Sequence, residues 1–253
     1  KLYLLTITTL LILFASCNQK EETTIANAND YEQYLSPDQN PNALLAKKEL
    51  EFWSEKYKKS PSQYPYQVKM AGAHSALFNQ GGDIENLTAA YILLQEVNKK
   101  VNNTQSSYLR VLARNCVSQH KFREAYGALK VAEKRGDQLR STQKMLFDVH
   151  LELGNDDEAH KYLSFIEQQK SFDYLIRASK WNDKKGDLNT AISLLEKALE
   201  IAESSKDKGL IIWSYTNLAD FYGHNNEIKK SYNYYLKSLE LDPSNSYSKK
   251  RIC

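Results

Sequence analysis

Apolar residues recur along most of the chain at the three- and four-residue spacing that places them on one face of an α-helix. The run GDLNTAISLLEKALEI, residues 186–201, is an example in which aliphatic side chains occupy one face and charged side chains the other. Runs of alternating β-branched residues, typical of strands, are absent, and only five prolines and nine glycines interrupt the sequence. The pattern therefore predicts an all-α protein.

The helical segments repeat along the chain. Five of them carry a small residue, then a bulky apolar residue four positions later, then a small or aliphatic residue three positions after that. A second amphipathic segment precedes each of these triplets. Because a small residue lets a partner helix approach closely, this arrangement predicts a string of helical hairpins. The small residues that begin the triplets are spaced by 35, 34, 32 and 40 residues, and they are Ala90, Ala125, Ala159, Ala191 and Ser231.

This spacing resembles the tetratricopeptide repeat, a helix-turn-helix unit of about 34 residues. The copy at residues 186–201 matches the family well in its second helix. The resemblance implies a right-handed solenoid of about five hairpins across residues 62–245. The last copy matches most fully, through Tyr215, Leu218, Ala219, Tyr222, Ser231, Tyr235, Ser238 and Pro243.

The two ends of the predicted solenoid differ. Residues 41–61 predict an amphipathic helix that caps the first hairpin, because a terminal repeat otherwise exposes its apolar face. Residues 246–253 form a tail that is too short for an equally long cap. Either an incomplete helix covers the last hairpin, or the array continues in a partner.

The start of the chain has the layout of a secretory signal peptide, with Lys1, an apolar run and then small residues. A helix needs about 20 apolar residues to cross a bilayer, so this run is too short to remain as a span. The tetrapeptide FASC, residues 14–17, resembles a bacterial lipobox. We therefore predict a lipoprotein signal peptide at residues 1–16 and lipidation of Cys17. The alternative is an ordinary signal peptide followed by a chance cysteine.

The residues after Cys17 are charged and polar. Lys20, Glu21 and Glu22 resemble the export signal of surface-exposed lipoproteins of Bacteroidota, which implies a lipid-anchored protein of the outer membrane, displayed at the cell surface. A solvated charged linker is the alternative. Because residues 17–40 lack helical periodicity, they predict a flexible tether behind the lipidated cysteine.

The sequence contains little that is typical of catalysis. Its five histidines fall in different hairpins without the spacing of a metal site, and no phosphate-binding loop is present. Cys116 falls on the inward face of its helix and predicts a core residue. A net charge of +3 is too small for a typical nucleic-acid-binding protein. We therefore predict no enzyme activity, no cofactor, no metal site, no nucleic-acid partner and no small-molecule substrate.

The family resemblance also implies a concave surface, lined by the first helix of each hairpin, that contacts peptides. Basic side chains recur at the corresponding positions, and two polar residues follow near the end of the array. Such a groove would suit an acidic or carboxylate-ended peptide through charge-assisted hydrogen bonds. Solvated charges on exposed helix faces are the alternative. The predicted groove residues are Lys69, Arg110, Arg114, Lys144, Arg177, Lys180, Asn217 and Asp220.

Together these patterns predict a membrane-anchored scaffold that binds a protein or peptide partner at the outer membrane or cell surface, and the basic groove favours an acidic partner. One alternative is a periplasm-facing lipoprotein that helps to assemble outer-membrane or pilus machinery. The other is a small glycan-binding lipoprotein similar to the starch-utilisation binding proteins, although the large insertions of those proteins are missing from this sequence.

Overall fold

A computed structural model describes residues 25–35, 40–168 and 170–252 of the 253-residue chain. The predicted signal peptide, the lipidation site Cys17, the export tag and Cys253 lie outside the described residues. Within the described ranges all regular secondary structure is helical, which confirms the predicted fold class. No helix there is both long and apolar enough to cross a membrane.

The described residues form thirteen α-helices and a single turn of 3-10 helix at Glu32–Tyr34, which follows α1. The helices are α1 Ala28–Tyr31, α2 Pro41–Lys59, α3 Tyr64–Gly81, α4 Ile84–Lys100, α5 Ser106–Ser118, α6 Phe122–Arg135, α7 Leu139–Glu152, α8 Asp156–Phe165, α9 Phe172–Lys184, α10 Leu188–Ser205, α11 Lys208–His224, α12 Ile228–Leu241 and α13 Ser246–Ile252.

Helices α3 to α12 form five hairpins, each of which packs against the next, so the molecule is an α-solenoid. In every hairpin the second helix turns its small triplet residue inward. Four of these residues are alanines with 0% of their surface exposed, and the fifth is a serine with 9% exposed. The large apolar residue that follows four positions later is also buried, as the triplet pattern predicts. The inward small residues are Ala90, Ala125, Ala159, Ala191 and Ser231.

The turn inside each hairpin passes through the left-handed backbone region. Two residues before the second helix begins, φ takes values between +56° and +82° in all five hairpins. Glycine adopts this conformation without steric cost, whereas other residues are strained by it. Three hairpins use glycine, but the second uses His120 and the fifth uses Asn226. The glycines are Gly82, Gly154 and Gly186.

The apolar core divides into two clusters between the third and fourth hairpins. One buried cluster, centred on Phe147, joins α5 to α8, and a second, centred on Leu195, joins α9 to α11. Tyr174 and Trp181 of α9 also pack against the first cluster, and charged side chains of α7 and α9 form ion pairs across the same junction. The third and fourth hairpins are therefore held together by apolar contacts and by ion pairs.

The N-terminal cap helix α2 packs against α3 and ends at Lys59. Asn40 caps its start, since the Asn40 side chain accepts hydrogen bonds from the backbone N–H groups of Asn42 and Ala43. The outer face of α2 stays exposed, with Leu45 and Phe52 in contact with solvent.

The last hairpin is covered by an incomplete helix, α13, which is the first of the two arrangements expected from the sequence. Ile252 of α13 is buried, and the hydroxyl of Ser248 is hydrogen-bonded to that of Ser238 at 2.5 Å. The first residue of α13 also touches the start of the solenoid, where the Ser246 hydroxyl donates to the Asn79 carbonyl oxygen at 3.2 Å. The array therefore curls until its two ends meet.

Residues 25–35 differ from the flexible tether expected for residues 17–40. They form α1 and the 3-10 turn, and they lie against the last hairpin rather than extending away from it. The sequence pattern contained no indication of this, because one helical turn is too short to produce a periodic pattern.

Candidate partner-binding surface

Arg110, which the sequence places in the basic groove, is buried with 8% of its surface exposed. Its guanidinium donates to the Asp137 carbonyl oxygen at 2.9 Å, the Gln138 side-chain oxygen at 3.0 Å and the Thr142 hydroxyl at 3.3 Å. Burial lowers its pKa, and the nearby charge of Arg114 acts in the same direction. Arg110 therefore joins the second hairpin to the third. It is neither a groove cation open to a ligand nor a solvated surface charge, so the expectation from the sequence is wrong for this residue.

Arg177 holds the fourth hairpin to the third. Its side chain, 11% exposed, forms an ion pair with Asp148 at 2.6 Å and donates to the carbonyl oxygen of Lys144 at 3.1 Å. Lys144 in turn pairs with Asp173, and Lys180 lies 3.9 Å from Asp148. Across the α7–α9 junction two aspartates therefore neutralise Arg177 and Lys144, whereas Lys180 stays 38% exposed at the edge of this network.

The two polar residues predicted near the end of the groove also have partners within the protein. The Asn217 amide donates to the Trp213 carbonyl oxygen at 2.7 Å, one turn earlier in α11. Asp220 accepts hydrogen bonds from the hydroxyls of Tyr235 at 2.5 Å and Tyr247 at 2.7 Å. Asn217 therefore bonds within its own helix, and Asp220 fixes one tyrosine of α12 and one of α13.

Two predicted groove residues keep an exposed charge. Arg114 lies one helical turn after Arg110 and forms no ion pair within the described part of the chain. Lys69 is also exposed, with its ammonium 5.8 Å from the ring centroid of Trp53 on the cap helix. In the part of the chain that the structure describes, these two predicted groove cations are exposed without an ion pair, and both lie in the first two hairpins.

A second candidate surface is formed by side chains of the last two hairpins. The rings of Tyr222 and Tyr234 stack with centroids 5.6 Å apart, and they line an open cavity of about 570 Å³. Lys230 lies 4.7 Å from the Tyr222 ring centroid, and Lys237 lies 4.9 Å from that of Tyr234. This cluster was not identified from the sequence. The sequence signal for it is the spacing of Lys230, Tyr234 and Lys237, which places all three on one face of α12.

The hydroxyl of Tyr222 donates to Glu196 at 2.7 Å. Burial, and then this hydrogen bond to a carboxylate, raise the pKa of Tyr222 above its ordinary value. The cluster therefore combines flat aromatic rings, two ammonium groups and a carboxylate, and it can contact apolar and charged groups of a ligand together.

The one cysteine thiol among the described residues lies in the core. Cys116 is buried, and burial together with the charge of Glu124 raises the pKa of its thiol to about 11. A thiol with that pKa is protonated at neutral pH and is a poor nucleophile. In the ranges that the structure describes, no group of three or more His, Cys, Asp or Glu side chains could hold a metal ion.

Comparison with known families agrees with this architecture. Residues 173–205 and 214–245, which span α9–α10 and α11–α12, match the model of the tetratricopeptide repeat. The match to this family covers these two hairpins. A search of curated protein sequences found no match.

Solved structures share the fold at low sequence identity. A thermophilic tetratricopeptide protein from Thermus thermophilus is 17% identical, with a TM-score of 0.62 over 75% of this chain and 96% of its own. Yeast Tom70 is 14% identical, with a TM-score of 0.53 over 92% of this chain and 56% of its own. A signal-transduction ATPase with a tetratricopeptide sensor from Pyrococcus horikoshii is 18% identical, with a TM-score of 0.55 over 91% of this chain and 37% of its own. These similarities establish the solenoid fold.

Proposed function

We propose that this protein is a lipid-anchored scaffold that binds a protein or peptide partner at the outer membrane. The observation that carries the binding function is the solenoid itself, in which five hairpins present one extended surface. Such surfaces are the binding faces of repeat proteins. The tetratricopeptide fold therefore favours a scaffold for protein interactions.

Arg114 and Lys69 supply the exposed positive charge that an acidic partner would contact. A charge-assisted hydrogen bond contributes about 1.5–3 kcal/mol, which corresponds to roughly tenfold or more in affinity. The Arg114→Glu variant should therefore capture an acidic partner at least tenfold less well in a cross-linking pull-down. Lys134→Glu, which changes an exposed lysine at the end of α6, is the matched control and should capture normally. Equal capture by both variants would exclude Arg114 from the binding surface.

The anchoring part of the proposal rests on FASC at residues 14–17. Lipid anchoring is stable when two or more acyl chains are attached, so a lipidated Cys17 would hold the protein in the membrane fraction. Cys17→Ser should move the protein to the soluble fraction, whereas Cys253→Ser should leave it in the membrane. Membrane recovery of Cys17→Ser would contradict lipid anchoring.

The side of the membrane can be tested separately. If Lys20, Glu21 and Glu22 direct surface export, replacing all three by Ala should leave the protein in the membrane but abolish its cleavage by protease added to intact cells. If the parent protein itself resists protease on intact cells, the periplasm-facing alternative is correct.

A further inference from the structure

The N-terminal segment, residues 25–35, is attached to the last hairpin by one tyrosine hydroxyl. The Tyr232 hydroxyl accepts a hydrogen bond from the Asn27 backbone N–H at 3.2 Å. Its own proton can reach either the Asn27 carbonyl oxygen at 3.3 Å or the Asp30 carboxylate at 3.2 Å. A residue of α12 thus contacts a residue 205 positions earlier in the chain.

Two aromatic rings complete this attachment. Tyr31 and Tyr34 pack against the cluster formed by Tyr232, Tyr235, Leu239 and Ile252, which we call the terminal surface. In the earlier hairpins the corresponding outer face is covered by the next hairpin. Here α13 covers part of it and residues 27–34 cover another part.

The segment has the character of a bound peptide. Tyr31 and Tyr34 are half-buried, while the other residues from Asn27 to Leu35 are exposed to solvent. Its helical turn is stabilised locally, because the Asn27 side chain accepts from the Asn29 backbone N–H at 3.1 Å. Few contacts therefore fix the segment to the terminal surface, and it can open without unfolding the solenoid.

We propose that the terminal surface is a peptide-docking site and that residues 27–34 occupy it as a ligand in cis. The partner would carry the same chemistry in one helical turn, an aspartate followed by a tyrosine and a second tyrosine three residues later. The carboxylate would accept from the Tyr232 hydroxyl, and the two rings would cover Leu239 and Ile252. This proposal rests on the proposed function and assigns a place and a ligand chemistry to it.

Occupancy in cis sets the affinity for a partner. A segment joined by a short chain competes at an effective concentration on the order of millimolar. The apparent affinity for a partner peptide is therefore reduced to the fraction of molecules in which the segment is open, and removal of the cis segment raises that apparent affinity. The segment thus acts as a built-in competitor.

The test uses the full chain and a fluorescent synthetic peptide, IANANDYEQYL, that copies residues 25–35. The Tyr31→Ser/Tyr34→Ser variant removes both anchoring rings of the cis segment and leaves every solenoid residue unchanged. Fluorescence anisotropy should show the peptide binding this variant at least tenfold more tightly than the parent. A peptide with both tyrosines replaced by serine should not bind. No binding to the folded double variant would overturn the proposal.

Two further variants identify the surface. Adding Tyr232→Phe to the double variant keeps the ring but removes the hydroxyl, and it should weaken peptide binding several-fold. Adding Tyr215→Phe is the matched control, because the Tyr215 hydroxyl donates to Glu203 away from the terminal surface. It should leave binding unchanged. Equal effects of the two changes would place the peptide elsewhere.

Hydrogen exchange of the parent gives a measurement that does not depend on any variant. Amides of residues 28–35 should be at least 100-fold less protected than those of α12, as expected for a segment that opens by itself. Equal protection would mean that the segment is an integral cap and would overturn the proposal.

The molecular mass in solution tests for a second copy of the chain. If the mass doubles as the protein concentration rises, and this doubling is lost in the double variant, a second copy is the occupant and the assignment to a partner is overturned. None of these outcomes affects the capture assay that tests the scaffold function.

Discussion

Replacing Arg110 tests whether the predicted groove cations act as structural links between hairpins. Arg110→Leu removes the guanidinium and leaves the Asp137 carbonyl oxygen, the Gln138 amide and the buried Thr142 hydroxyl without their donor. Arg114→Leu removes an identical side chain one turn later, where it is exposed. The pair isolates the effect of burial, since both changes replace the same side chain in the same helix.

The expected magnitude follows from the three lost hydrogen bonds. Each bond from a charged donor contributes about 1.5–3 kcal/mol, but the carbonyl oxygen and the amide can recover water, so we expect a total loss of about 2–4 kcal/mol. In a domain of this size 1 kcal/mol corresponds to about 2–4 °C, so Arg110→Leu should melt roughly 5–15 °C below the parent. Arg114→Leu should change stability by no more than about 0.5 kcal/mol.

Circular dichroism during heating measures both variants against the parent. Hydrogen exchange at residues 137–142 adds a local measurement, because opening there should increase in Arg110→Leu but not in Arg114→Leu. Melting temperatures that agree within about 2 °C, near the small change allowed for a surface residue, would refute the assigned role of Arg110.

Three other results are expected. Gly186→Ala should lower the free energy of unfolding by about 1–2 kcal/mol in urea, since φ is +82° there, whereas Gly127→Ala in the exposed face of α6 should be neutral or raise it by up to about 1 kcal/mol. The ultraviolet absorbance titration of the parent minus that of Tyr91→Phe should show one phenol that ionises near pH 12, because its hydrogen bond to Glu124 and its burial raise the pKa of Tyr91 to about 12. Since the unfolded phenol ionises first, the stability contributed by Tyr91 is complete below pH 10 and is lost towards pH 12. Tyr91→Phe should lose this share of the pH dependence and keep the share of other tyrosines with a raised pKa, such as Tyr162. In a variant without the other two cysteines, Cys116 should react with a thiol reagent at least about 100-fold faster in denaturant than in buffer; equal rates would contradict its burial.

The hairpins could be predicted because their information is local. A helix face is defined by side chains three and four positions apart, and a small residue such as Ala125 marks where the partner helix approaches. The turns inside the hairpins could be predicted in part, since glycine indicates a left-handed conformation at Gly154 and Gly186. His120 and Asn226 occupy the corresponding turn position in the second and fifth hairpins without a glycine to mark it.

The candidate groove was less predictable for a physical reason. Helical phase indicates the direction in which Arg110 or Arg177 points, but it does not indicate what lies opposite. Their partners come from the neighbouring hairpin, and Asp148 precedes Arg177 by 29 residues. An acidic residue about one repeat away from an arginine is the signal that could have indicated the Arg177 link, whereas the Arg110 link uses uncharged acceptors.

The sequence by itself determined the helices, their pairing into hairpins and the direction of their apolar faces, because each depends on neighbours within about one repeat. Only the tertiary structure decided which charges are neutralised, and where residues 25–35 lie. The contact between Asn27 and Tyr232 spans 205 residues and exists because five hairpins curl until the ends of the array meet. That curl is the sum of small rotations between successive hairpins, and each rotation is set by how the side chains of two hairpins pack together.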